Sequence, residues 1–94
     1  MINMLKDKKD ILVTVTTLTY DGSLSTYNLY FKEGIEAKAF VDSYVQTHTY
    51  MLTKFDENDD LYLELRNQET SILNPVKQII ILAKTLDSLK KGNN

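Results

Sequence analysis

NPVKQIIILAKTLDSLKK, residues 74–91, is the stretch that sets the architecture. It opens on Asn74-Pro75, the pairing of a capping side chain with a proline suited to the first helical position. Val76, Ile79, Ile80, Ala83, Leu86 and Leu89 then recur at helical spacing, and Ile81 and Leu82 widen the apolar face. Lys90 and Lys91 suit a helix C-terminus, and Gly92 suits the stop that follows. The spacing predicts a helix over 76–91, apolar around most of its circumference.

Working back from that helix, residues 50–55 and 61–66 read as a hairpin. Leu61, Leu63 and Leu65 alternate with Tyr62, Glu64 and Arg66, the pattern of a half-buried strand. Upstream, Ala37, Phe40, Val41, Tyr44, Val45 and His48 fall on one stripe and predict a helix over 35–48. Before it, ILVTVTTLTY (11–20) is a run of β-branched residues, Leu and Tyr that suits a strand. Asp21-Gly22 tolerates the positive φ of a tight hairpin turn, and LSTYNLYF (24–31) is the return strand. A two-residue loop puts Leu29 opposite Thr14 and Phe31 opposite Leu12. Residues 1–10 read as a polar lead-in and 92–94 as a tail.

The expected fold is therefore a single α+β domain over 1–94 in ββαββα order. It is a two-layer arrangement of a four-stranded antiparallel sheet with both helices on one face. Two hairpin-plus-helix units of similar length suggest a pseudo-repeat, in placement more than in identity. The second face of the sheet is left open.

Composition narrows the classes. With 94 residues, 43% of them hydrophobic, the chain fits one domain with one core. A net charge of -2 argues against general nucleic-acid affinity, which needs a cationic excess. The absence of cysteine removes disulfides, thiolate metal sites and cysteine nucleophiles. The first ten residues lack the apolar run of a signal peptide, and the longest apolar run, Ile79 to Ala83, is far too short to cross a bilayer. The expectation is a cytoplasmic protein with no membrane contact.

Chemistry-bearing motifs are sparse. Asp56, Asn58 and Asp60 have the 1, 3, 5 spacing of a calcium loop, but Leu61 and Asn67 stand where that loop needs Gly and Glu. His48 is the single histidine, and its helical neighbours Asp42 and Ser43 point in other directions, so no triad forms locally. The three glycines stand alone, with no phosphate loop. No catalytic residue, cofactor or metal ligand is assigned.

Three features are interface material instead. The acidic run of Asp56, Glu57, Asp59 and Asp60 suits a basic groove on a partner. Tyr27, Tyr30 and Tyr62 supply amphipathic contact area on strands. The over-apolar last helix suits docking or self-association. These point to a non-enzymatic, protein-binding or regulatory protein. A concrete version is a phage or mobile-element inhibitor whose acidic tip fills a basic, nucleic-acid-binding groove of a host protein. In size, acidity and lack of catalytic residues the chain is similar, in general type only, to small acidic anti-CRISPR proteins. The alternatives are a nucleic-acid-binding module using Tyr27, Tyr30 and Tyr62 with Lys54 and Arg66, and a homo-oligomeric structural protein joined through the C-terminal helix.

Overall fold

The computed structural model describes residues 3–69 and 73–86. Six elements follow one another: β1 (Lys9–Thr19), β2 (Leu24–Glu33), α1 (Gly34–Val45), β3 (Tyr50–Glu57), β4 (Leu61–Asn67) and β5 (Val76–Thr85). The strands make one sheet in the order β2-β1-β5-β4-β3, antiparallel at every pairing. The domain is α+β, but the ββαββα expectation of four strands and two helices is overturned. Among the described residues there are five strands and one helix.

The reversal lies in residues 76–85, which form the central strand rather than a helix. Val76, Ile79, Ile80 and Ile81 are β-branched, and their stiff side chains fit a pleated surface better than a helix. A strand flanked on both sides, with Ile80 and Leu82 on the open face as well as Ile79, Ile81 and Ala83 in the core, reads as a continuous apolar run, which also satisfies helical spacing. Asn74 does accept the amide of the residue two ahead, Val76, at 3.1 Å. That is an Asx turn, and the chain leaves it extended instead of helical. Self-association through a C-terminal helix loses its basis, because Ile79, Ile81 and Ala83 are buried in the sheet's own core. Leu89, Lys90, Lys91 and Gly92 lie outside the described residues.

The first hairpin corrects a smaller expectation. Thr19 donates its amide to the Ser23 carbonyl, and Gly22 donates its amide to the Thr19 carbonyl, both at 3.0 Å. The loop is thus the three residues Tyr20, Asp21 and Gly22, with Gly22 at φ 89 in the left-handed bulge position. Leu29 pairs with Val13 and Phe31 with Ile11, one residue away from the expected register. The burial pattern requires this. Opposed residues share a face, so the slip would carry Leu29 and Phe31 away from the buried Val13 and Ile11.

One face of the sheet carries the core. Ile11, Val13 and Val15 of β1, Leu61, Leu63 and Leu65 of β4, and Ile79, Ile81 and Ala83 of β5 are buried there. The helix α1 crosses this face between the edge strands β2 and β3 and buries Ala37 and Val41 on it. Its stripe is the expected one, with Phe40, Tyr44 and Val45 packed at the margin, but it ends at Val45 and leaves His48 exposed beyond it. The Phe40 ring lies 5.5 Å from Phe31 and 5.5 Å from Tyr44, centroid to centroid.

The polar lead-in contributes to this core. Leu5 is fully buried within it, with Met4 packed alongside. The Glu57 carboxylate accepts the amides of Asn3, at 2.8 Å, and Met4, anchoring the segment to the end of β3. At the opposite end, Asn67 is buried and donates to the Val76 carbonyl at 2.6 Å while accepting the Glu69 amide at 2.8 Å. The side chain pins the entry of β5 to the exit of β4. No helix among the described residues is long and apolar enough to cross a membrane.

Candidate functional site

Pairing register decides which side chains share the open face. Along β5 the face carries Gln78, Ile80, Leu82 and Lys84, opposite Leu18, Thr16, Thr14 and Leu12 of β1. On the other side, Tyr62, Glu64 and Arg66 of β4 stand opposite Leu82, Ile80 and Gln78. The edge strand β3 adds Met51, Lys54 and Asp56, and β2 adds Leu24, Thr26, Asn28 and Tyr30. The middle of the face is a half-buried strip of Leu12, Leu18, Ile80 and Leu82 interleaved with threonines.

The face is polar in distinct ways at its two ends. Over β1 and β2, Thr14 donates to the side-chain amide oxygen of Asn28 at 2.7 Å, and the Thr16 and Thr26 hydroxyls lie 3.1 Å apart. These bonds satisfy the side chains across the ladder. Over β3 and β4, charge gathers around one aromatic ring. Tyr62 donates its hydroxyl to Glu64 at 2.6 Å, and the Lys54 ammonium lies 5.6 Å from the centre of its ring. Donation to Glu64 pushes the Tyr62 phenol above its ordinary value.

A shallow, solvent-open depression of about 470 Å³ occupies this end. Lys54, Asp56, Tyr62 and Leu82 line it on the sheet, and Asn58, Asp59 and Asp60 line it at the hairpin tip. Its wall holds three carboxylates against one ammonium. Asn58 donates to Asp56 at 3.3 Å, which ties the tip to the end of β3. A small ligand is held by enclosure on apolar walls, and this hollow is open and charged. Its form suits a long cationic side chain laid across Tyr62 with its head among the carboxylates.

The seven residues singled out in the sequence divide accordingly. Asp56, Asp59, Asp60 and Tyr62 come together at the depression. Glu57 does not, because its place opposite Leu61 turns it to the helix face, where it holds the N-terminal amides. Tyr27 is also on the helix face, its hydroxyl 3.1 Å from that of Tyr44. Tyr30 is on the open face but at the β2 edge, three strands from Tyr62, and donates to Asp10. That bond raises its phenol above the ordinary range.

Sequence reasoning missed Leu82 as part of the site and set Lys54 beside Tyr62 only in the nucleic-acid-binding alternative. Leu82 was hidden by the helical reading of its segment. Lys54 shares the Tyr62 face because the pairing runs unshifted from Asp56 opposite Tyr62 to Lys54 opposite Glu64, while the place of Met51 on that face depends on a bulge. The β3–β4 register shifts between Leu52 and Lys54, an irregularity with no sequence signature in the stretch MLTKF. Among the described residues no three His, Cys, Asp or Glu side chains converge as metal ligands would. No family model, curated protein or solved structure matches the chain.

Proposed function

We propose that the chain is a non-enzymatic protein-binding module, and that it engages a basic surface of its partner through the depression formed by Asp56, Asp59, Asp60 and Tyr62. The observation that carries this reading is the convergence of three carboxylates on one side of a sheet-mounted tyrosine. An arginine or lysine of the partner would take the place of Lys54 over the ring and meet the carboxylates beyond it. Arginine fits better, because its planar fork pairs with carboxylates and stacks on aromatic faces at once. The half-buried strip from Leu82 toward Leu12 offers apolar area beside this charged end.

An inhibitor that occupies the nucleic-acid-binding groove of another protein, as a phage or mobile-element product does, is the concrete form of this reading. Direct nucleic-acid binding is the weaker alternative. Tyr62 and Tyr30 share the open face, but Lys54, Arg66 and Lys84 are offset there by Asp10, Asp56, Glu64 and the tip carboxylates. A stacking platform needs a cationic groove beside it.

Association kinetics with the partner test the proposal. Charge-steered docking requires the on-rate to fall steeply as salt rises through the range where the Debye length shrinks from about 30 Å to about 8 Å. An on-rate that is flat with salt overturns it.

A further inference from the structure

The two edges of the sheet are built differently. Strand β3 is blunted by the bulge between Leu52 and Lys54, where Thr53 donates back to the Glu64 carbonyl, and by the charges of Lys54, Asp56 and Glu57. Bulges and edge charges are how sheets prevent further strand addition. Over residues 24–31 the edge strand β2 has neither device, its charges Lys32 and Glu33 lying at the end that runs into α1. Its residues 24–31, LSTYNLYF, contain no charge, no proline and no glycine, and pair with β1 without a shift of register.

The hairpin fixes which backbone groups this edge offers. Thr19 bonds to Ser23, so odd-numbered residues of β2 exchange bonds with β1. Leu24, Thr26, Asn28 and Tyr30 therefore turn their amides and carbonyls away from the sheet. Leu24 and Tyr30 are 68% and 63% exposed, which leaves this line open to a neighbouring strand.

We propose that β2 is a self-pairing edge through which two copies of this chain join as an antiparallel β2–β2 ladder, about a two-fold axis at Asn28. Opposed residues in such a ladder must share a face, and a two-fold perpendicular to the sheet keeps the faces matched. With the axis at Asn28, the outward-turned groups of Thr26 meet those of Tyr30 in the second copy. Tyr27 falls opposite Leu29 of the second copy at a position where side chains come closest, an aromatic–aliphatic pair. No charged side chain faces a like charge, because Lys32 falls opposite Leu24. A second copy suits this edge for that reason: the strand is complementary to itself. The two five-stranded sheets become one of ten strands, with both helices on one side and both open faces on the other. The two Tyr62 depressions then face the same way, seven strand spacings apart, or roughly 34 Å. The pairing does not depend on what those depressions bind.

Sedimentation equilibrium of the full chain from about 10 μM to about 1 mM is the test, with micromolar to millimolar self-association its readout. The proposal expects a monomer–dimer equilibrium in wild type. Asn28→Lys places two ammonium groups opposite each other at the axis, and should weaken the dimer at least tenfold. Asn28→Asp should do the same. An equimolar mixture of the two variants should recover dimer, because Lys then meets Asp. Thr26→Lys is a second variant, opposite Tyr30 rather than itself, for use if a position-28 protein fails to fold. In wild type the amides of Thr26, Asn28 and Tyr30 should exchange more slowly as concentration rises. A strict monomer at 1 mM overturns the proposal, as does a dimer indifferent to both position-28 variants, and a monomer that pairs only with another protein's strand does so too.

Discussion

The amide of Gly34 donates to the carbonyl of Lys8 at 2.8 Å, and a β-carbon on Gly34 would stand 1.7 Å from the carbonyl oxygen of Leu5. The first helical residue and the N-terminal turn are thus in backbone contact, with no room between them for a side chain. The three obstructing atoms, the carbonyl oxygen and carbon of Leu5 and the carbonyl oxygen of Lys8, all belong to backbone, so none can swing aside.

Gly34→Ala should therefore lower stability by about 3 kcal/mol, at the upper end of overpacking costs. Urea unfolding measures it. Gly22→Ala is the matched control: nothing lies within 4 Å of its β-carbon, and its cost should be only the strain of φ +89, about 1 kcal/mol. Equal effects at the two glycines would contradict the close packing of the N-terminal turn.

Leu5→Ala tests the same turn from inside the core. The side chain has no solvent exposure, so its truncation should cost about 2–5 kcal/mol, as for a central leucine. A loss under about 0.5 kcal/mol would mean that the segment does not plug the sheet.

Tyr44 reports on the joint between α1 and β2. Burial, with the hydrogen bond to Tyr27 next, pushes its phenol up to about 12 from 10.0. The folded state holds this proton more tightly than the unfolded chain does. Its contribution to stability is fully present below pH 10 and is lost as pH rises from 10 through 12. Ultraviolet titration of wild type against Tyr44→Phe should show the removed chromophore ionising last. Its loss from the ordinary range near 10 would contradict the buried pair.

The acidic residues should separate by role. Glu57→Gln weakens a charge-assisted anchor for the Asn3 and Met4 amides and should cost about 1 kcal/mol of stability. Joint replacement of Asp56, Asp59 and Asp60 by Asn removes charges grouped at one tip and should leave the thermal midpoint unchanged or raised. Thermal unfolding of the two proteins side by side checks this, and the reverse order would contradict the assignment.

Much of this was legible in the sequence, and the failures have specific causes. The strands β1, β2 and β4 follow from alternation and β-branching, and the α1 stripe follows from helical spacing. Residues 76–85 failed because a central strand is apolar on both faces and so carries no alternation to read. The short Asn74-Pro75 signal then tipped the reading, although Asn74 makes the same local bond in an Asx turn. The open face was anticipated, but its membership depended on β5 and on the β3 bulge. Leu5 went unread because a lone leucine among lysines and aspartates has no periodicity to place it.

Affinity capture from lysate of the source organism tests docking through the Tyr62 depression, using wild type, Glu57→Gln and the joint Asp56→Asn, Asp59→Asn, Asp60→Asn variant as baits. One partner should be held by wild type and Glu57→Gln and lost by the triple variant. That partner, bound with equal affinity by the triple variant, would contradict it.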